Sequence, residues 1–383
     1  MKKSVVQILS AFVAFGLFAC SDSTQAGGGI WDETQNTLAV HIVTASGNPA
    51  VSARVRLVTG TAVVEDSAVS VDEGIARLKR PSSDGFIEVQ EQLGVARGRV
   101  FMGDSLLRDT LQKPATLQGV LTANESPQKL YLLGTSYSAD VSASGNFSFE
   151  NLPAGEYAIL SASDSEYVYW GASQVKANGD NAVTLAAPAQ DSALVDDFEK
   201  KDGTNLFHAL TGSSWWFTAA DSLSEVVPSL PLKALVRSDE SFQGSQSLHF
   251  IFNVDSSAGA FALCGFDIGV SQWQDSTTSY DLSELDSLSF YIRGQGHIIV
   301  QFAGFDETGA VADWDFEFDI PSKTEWIRIA IPPRGNEDWE AIKSRMRTIT
   351  FLSTSNAEIW LDQIVFYGVS VQKLFADKFR NEK

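Results

Sequence analysis

The stretch Leu288-Ser289-Phe290-Tyr291-Ile292-Arg293-Gly294 sets large apolar side chains at every second place and stops at a glycine. Successive side chains of an extended strand point to opposite faces. Leu288, Phe290 and Ile292 therefore belong to a core, and Tyr291 and Arg293 to the other side. The same period continues on both flanks. In Trp314-Asp315-Phe316-Glu317-Phe318-Asp319 the rings face in, which turns Asp313, Asp315, Glu317 and Asp319 out. Ile327, Ile329 and Ile331 form the next core set and expose Trp326 and Arg328. Upstream, Leu248, Phe250 and Phe252 oppose His249 and Asn253, while Gln301 shares a side with Ile299 and Ala303.

Eight strands follow from this pattern: Ser247–Asn253, Ala260–Asp267, Asp286–Arg293, His297–Ala303, Ala312–Asp319, Trp326–Ile331, Thr348–Leu352 and Glu358–Phe366, with a short helix at Trp339–Met346. Without helical crossovers they predict a jelly-roll β-sandwich over residues 194–368, followed by a charged tail over 369–383. Cys264 alternates with Ala262 and Phe266 and should be a buried free thiol. Trp215 and Trp216 are adjacent, so a strand would send one ring into the core and the other to the rim; Trp216 is read as the rim ring.

Upstream, Leu38, Val40, Ile42 and then Ala53, Val55, Leu57 alternate across a Gly47-Asn48-Pro49 turn. A second unit holds Leu117 to Leu121, Leu130 to Leu133, and Gly145 to Leu160 with a Pro-Ala-Gly corner. These predict two small Greek-key sandwiches, over 35–115 and 116–187, with a small-residue linker at 188–193. The whole chain is expected to be all-β.

The chain has 48 acidic and 28 basic residues among 383, a formal charge of -20. That argues against nucleic acid, which requires a cationic face. Two Cys and four His leave no thiolate-rich metal cluster, and the histidines have no Ser or Cys companion suited to nucleophilic catalysis. Carboxylate pairs among so many acids single out no general acid and base. The expectation is a protein that is not an enzyme.

Met1-Lys2-Lys3 precedes an apolar run from Val5 to Ala19, an export signal too short to span a bilayer. The run ends in Leu17-Phe18-Ala19-Cys20, which resembles a bacterial lipoprotein box. That resemblance implies a signal peptide over 1–19 and a lipid on Cys20, with 20–34 as a flexible spacer. Ser21 directly after the cysteine, where a retention aspartate would stand, implies the outer membrane. A soluble secreted protein cleaved near Ala26 is the alternative.

Residues 145 to 157, Gly-Asn-Phe-Ser-Phe-Glu-Asn-Leu-Pro-Ala-Gly-Glu-Tyr, resemble transthyretin-like (carboxypeptidase regulatory-like) domains, and 35–115 looks like a divergent copy. Such domains act as spacers. Residues 194–368 resemble galactose-binding-like carbohydrate-binding modules of families eleven and thirty. The likeness is carried by Val195 to Glu199, Gly244-Ser245-Gln246-Ser247-Leu248, Tyr280 to Gly294, and Ile359 to Phe366. It implies a non-catalytic, lipid-anchored protein that binds a β-glucan-like polysaccharide. Tyr291 would stack on a sugar, Arg293, Asp315, Glu317 and Arg328 would bond its hydroxyls, and Trp216 would extend the rim. It also implies a structural calcium at Glu199, the Gly244 turn and Asp362, with Asp239 as a substitute ligand; the alternative is that Asp362 caps backbone amides and no metal binds. The competing functional reading is a structural or protein-docking cell-envelope lipoprotein without a glycan.

Overall fold

The computed structural model describes residues 36–380 except 124–125, 164–165, 178–179, 238–239, 270–277 and 334. The signal segment, Cys20 and its spacer, and Asp239 lie outside the described residues. The protein is all-β, with only short helical turns between strands. It divides into two compact units, one running to Pro188 and the other from Ala189 to Lys378. Among the described residues no helix is long and apolar enough to cross a membrane.

The first unit opens with β1 (Thr37–Val43), β2 (Arg54–Gly60), β3 (Val63–Val69), β4 (Ile75–Lys79), β5 (Gly85–Glu91), β6 (Gly94–Val100) and β7 (Leu106–Thr110). They form two sheets, ordered β4-β1-β7 and β3-β2-β5-β6. Leu38, Val40, Ile42, Val55 and Leu57 are fully buried between them, as their alternation requires. The second set is β8 (Ala115–Thr122), β9 (Lys129–Leu132), β10 (Ser138–Asp140), β11 (Asn146–Leu152), β12 (Gly155–Ala162), β13 (Tyr167–Val175) and β14 (Asp180–Ala186). Its sheets are β11-β8-β14 and β10-β9-β12-β13, the order of the first set repeated strand for strand. Even the parallel pair recurs, β1 with β7 and β8 with β14. At the Pro-Ala-Gly corner the Tyr157 hydroxyl donates to the Pro153 carbonyl at 2.9 Å, which ties the start of β12 to the corner.

Polar groups join these two sandwiches. The Ser136 amide donates to Glu88 Oε1 at 2.9 Å, the Ser136 hydroxyl donates to Glu88 Oε2, and Arg56 donates to Ser136 Oγ at 3.0 Å. The Arg97 guanidinium lies 3.7 Å from the Phe86 ring centre and 5.3 Å from that of Tyr157. Glu88 is 3% exposed, so its carboxylate relies on these donors in place of water. Glu88→Ala should therefore lower the stability of the unit by about 1–3 kcal/mol, read from denaturant melts of the isolated 36–188 segment. An unchanged midpoint would show that Ser136 and Arg56 are satisfied without it.

The second unit contains β15 (Ser192–Asp196), β16 (Trp216–Ala220), β17 (Glu225–Val227), β18 (Leu235–Arg237), β19 (Gln246–Asn253), β20 (Ala262–Asp267), β21 (Ser287–Gln295), β22 (His297–Phe305), β23 (Val311–Asp319), β24 (Ile327–Ile331), β25 (Met346–Ser353) and β26 (Ala357–Tyr367). Seven of these form one sheet around β17-β19-β26-β21-β24, with β15 on β26 and β18 on β19. The other five run β16-β20-β25-β22-β23. The eight expected strands are all present within a few residues. The expected helix is a turn at Glu337–Ile342 and a 3-10 turn at Lys343–Arg345, begun where Asn336 accepts from the Asp338 and Trp339 amides. Cys264 is buried and free, and burial pushes its thiol pKa up.

Between the two sheets Phe290 meets Phe351 edge-on at 5.1 Å and Phe318 at 6.3 Å. Trp216 also faces this core. It is 6% exposed, lies 5.1 Å from Phe266, and its indole N–H donates to Asp196 at 2.7 Å. The expected roles of the adjacent tryptophans are thus reversed: Trp215 is the exposed one, at 46%. Adjacency on a strand dictates opposite sides, but the register with Phe266 decides which ring goes in.

Candidate functional site

The side chains expected to form one sugar platform lie on opposite sheets. Tyr291 and Arg293 project from β21 and Arg328 from β24, in the seven-stranded sheet, while Asp315 and Glu317 project from β23 in the five-stranded one. All five point away from the core, as alternation requires, yet the core separates the two groups. Period two distinguishes in from out; it carries no information on which sheet a strand joins.

On the seven-stranded sheet the rings pack against one another. His249, Trp360 and Arg293 are register neighbours on three adjacent strands. The His249 and Trp360 rings stack at 3.8 Å with 6° between their planes, and the Arg293 guanidinium sits 4.7 Å from Trp360 and 5.2 Å from Trp326. Phe242 stacks on Tyr291 at 3.5 Å and 13°, taking one face of the ring expected to hold a sugar. Arg328 Nε donates to Ser289 Oγ at 2.8 Å. Trp360 belongs to this outer stack, with Ile359 and Leu361 beside it filling the core.

The residues expected at a calcium flank the turn between Glu240 and Gln246. Asp362 Oδ2 accepts from the Phe242 and Gln243 amides at 2.8 and 3.0 Å, and its Oδ1 from the Gln363 amide. Glu199 Oε1 accepts from the Ser245 and Gln246 amides at 2.6 and 2.9 Å, and its Oε2 from the Ser245 hydroxyl. Gly244, at φ +73°, lets the turn pass over this carboxylate, which a Cβ would strike. Each carboxylate oxygen thus faces N–H or O–H donors, an arrangement suited to amide capping. No group of three acidic, His or Cys side chains able to hold a metal occurs among the described residues. Melting dialysed protein with and without a calcium chelator separates the two alternatives: an unchanged temperature is expected if Asp362 and Glu199 only cap amides. A drop of several degrees, with calcium retained after dialysis, would establish an ion at this turn.

The outer face of the five-stranded sheet is built differently. Register places Ala219, Leu263, Leu352, Ile299 and Glu317 in one row across the strands, and Phe217, Gly265, Thr350, Gln301 and Asp315 in the next. The third row includes Asp267, Thr348, Ala303 and Asp313. An apolar strip thus lies beside a polar one, with small residues at the centre and carboxylates along the β23 edge. The Gln301 amide donates to Asp313 at 2.9 Å and to Asp315 at 3.1 Å. Thr348 Oγ1 and Thr350 Oγ1 are buried and have no hydrogen-bond partner among the described residues. Alternation places Gln301 beside Ile299, and Ile349 and Phe351 inward imply Thr348 and Thr350 outward, a signal that their small, weakly polar side chains leave faint.

Several carboxyls are held above the usual range by withdrawal from water. Burial pushes Asp267 up to about 7 against the opposing pull of Arg347. Asp196 also reaches about 7, although the Phe198 amide and the Trp216 indole oppose the shift. Asp315 and Asp362 are each raised to about 6, again chiefly by desolvation.

No family model and no curated protein matches the chain. Among solved structures it is similar to the family 11 carbohydrate-binding module of the cellulosomal cellulase Lic26A-Cel5E of Clostridium thermocellum. The identity is 14% over 47% of this chain and 96% of that one, with a TM-score of 0.33. The Clostridium thermocellum family 11 module in complex with a β-1,3-1,4-mixed-linked tetrasaccharide gives 14%, 48%, 98% and 0.32. The family 30 module of cellulosomal cellulase Cel9D-Cel44B from the same organism gives 13%, 40%, 91% and 0.29. The resemblance to carbohydrate-binding-module β-sandwiches is distant, and the choice of a face rests on the residues above.

A raised carboxyl binds more protons in the folded chain than in the unfolded one between its two pKa values, so unfolding free energy falls as pH rises through that window. For Asp196 and Asp267 it runs from about 4 to about 7. Melting temperature should therefore be higher near pH 5 than at pH 8. Asp267→Asn should flatten part of that slope; a melting temperature that rises from pH 5 to pH 8 would contradict the shifts.

Proposed function

We propose that the C-terminal domain is a non-catalytic polysaccharide-binding module that holds a neutral glycan of the β-glucan class on the outer face of its five-stranded sheet. The observation that carries this reading is the polar row in which Gln301 donates to Asp313 and Asp315, next to the hydroxyls of Thr348 and Thr350, which have no hydrogen-bond partner among the described residues. Buried polar groups normally find partners, and sugar hydroxyls supply both donors and acceptors. Ala219, Ile299 and Phe217, partly exposed around the buried Leu263 and Leu352, offer an apolar strip against which the apolar face of a pyranose packs. Five strands at about 4.8 Å spacing span roughly 19 Å, suited to an extended chain more than to a single sugar. Asp313, Asp315, Glu317 and Asp319 line one edge and would repel a polyuronate.

In the same proposal Cys20 carries lipid and holds the protein at the bacterial outer membrane, and the two N-terminal sandwiches are spacers. What supports it is the signal segment and Leu17-Phe18-Ala19-Cys20. Intact-mass analysis of the membrane fraction should find the acylated cysteine as the first residue. An unmodified chain beginning downstream would refute the anchor.

Calorimetry or affinity electrophoresis with mixed-linkage glucan, xyloglucan and mannan tests the site. Gln301→Ala should weaken binding about tenfold, the loss of roughly 1.4 kcal/mol from one buried polar contact. Tyr291→Ala, on the opposite sheet, should leave affinity unchanged. The reverse pattern would move the site to the seven-stranded sheet, and indifference to every polymer would end the glycan reading.

A further inference from the structure

The chain enters β1 beside the β6–β7 turn. The Ala39 amide donates to the Ser105 carbonyl at 2.9 Å, Ala39 is paired with Leu106, and the Arg80 amide donates to the Asn36 carbonyl. At this end of the sandwich Phe101, Met102 and Leu106 are 50%, 68% and 52% exposed. The turn is held out by its own backbone: Asp104 accepts from the Phe101 amide at 2.8 Å, and Asp84 accepts from the Met102 amide at 2.9 Å. Each of those two carboxylates thus accepts from a backbone amide of the turn.

We infer that Phe101, Met102 and Leu106 form a tip that inserts into the interfacial region of the lipid bilayer to which the protein is tethered; this rests on the proposed lipid at Cys20. Two observations favour lipid as the occupant. Fifteen residues lie between Cys20 and Asn36, so even fully extended they keep this end within about 55 Å of the anchored lipid. Charge is also suited. Residues 36–115 carry nine basic and nine acidic side chains, whereas residues 189–383 carry 15 against 29. An anionic headgroup layer would therefore repel the later part of the chain and not this sandwich. Arg99 lies over the Phe101 ring at 5.0 Å, an apolar side chain beside a cation, which is the combination that settles at the boundary between headgroups and acyl chains. A tether alone leaves the body free to tumble; a second contact at the same end orients it.

The test uses the full acylated chain in phosphatidylethanolamine–phosphatidylglycerol vesicles, with an environment-sensitive thiol probe at Met102→Cys or at Leu93→Cys. Leu93 is 79% exposed in the β5–β6 hairpin, at the opposite end of the strands, and the native Cys264 is buried. Brominated lipids should quench most of the emission at position 102 and none at position 93. Adding Phe101→Ser and Leu106→Ser should abolish that quenching. Equal exposure of both probes on protein whose mass shows acylated Cys20 would overturn the tip and leave the anchor standing. A blue-shifted probe at 102 that no brominated lipid quenches would assign the tip to a protein partner, and also overturn it. Absence of the acyl group, with protein free of the vesicles, would remove the anchor and the tip together.

Discussion

Phe290 against Phe351 and Phe318 is the contact on which the C-terminal domain depends. Two sheets close face to face only if each supplies an uninterrupted apolar inner surface, and these rings join β21 of one sheet to β25 and β23 of the other. Leu288, Ile292, Val300, Phe302 and Ile349 complete the layer, each fully buried. Because the strand period is two, fixing these residues inward fixes their neighbours outward. Every candidate functional side chain of this domain is thus held in place by an apolar neighbour. A one-residue slip of β22 would send Gln301 into the core and strand its amide there.

The two outer faces show how differently the same constraint can be used. On the seven-stranded sheet large flat groups fall on adjacent strands and stack on each other, as His249, Trp360 and Arg293 do, although Trp360 Nε1 and Arg293 Nε have no hydrogen-bond partner among the described residues. Each such contact takes one face of a ring. On the five-stranded sheet small residues fall at the centre, Gly265 beside Thr350 and Thr348 beside Ala303. The polar atoms there lie low, between Phe217 at one edge and the carboxylates of β23 at the other. Small residues and the Gln301–carboxylate contacts make a lower, more polar floor there than the row of stacked rings.

Alternation made most of this fold legible from the sequence, and its limits are equally physical. The inward positions of Leu288, Phe290, Val55 and Leu57 followed from period two and are buried. The strands β3, β6, β7 and β13 to β18 carried weaker patterns, because half-polar or edge strands bury too little on either face to mark the period. Sheet membership was not legible at all: Asp315 and Tyr291 looked equivalent, since the pairing that separates them is set by contacts distant in sequence. Alternation alone therefore merges two separate surfaces into one platform. The strand-for-strand match of the two N-terminal sandwiches was only partly visible, as shared hairpin patterns, because topology tolerates substitutions that erase the motif at the corner.

Charge placement along the chain gives these parts a common logic. The deficit of basic residues falls mainly in the C-terminal portion, where β23 alone offers Asp313, Asp315, Glu317 and Asp319 on its outer side. Concentrating carboxylates costs stability by mutual repulsion, and burial raises that cost further at Asp267 and Asp315. Glu317 and Asp319 stand in solvent, where acids cost little. Gln301 instead draws Asp313 and Asp315 together against the sheet. Carboxylates held beside unpartnered hydroxyls are spaced to accept from a neutral, hydroxyl-rich polymer, and their repulsion becomes useful by turning away the anionic ones.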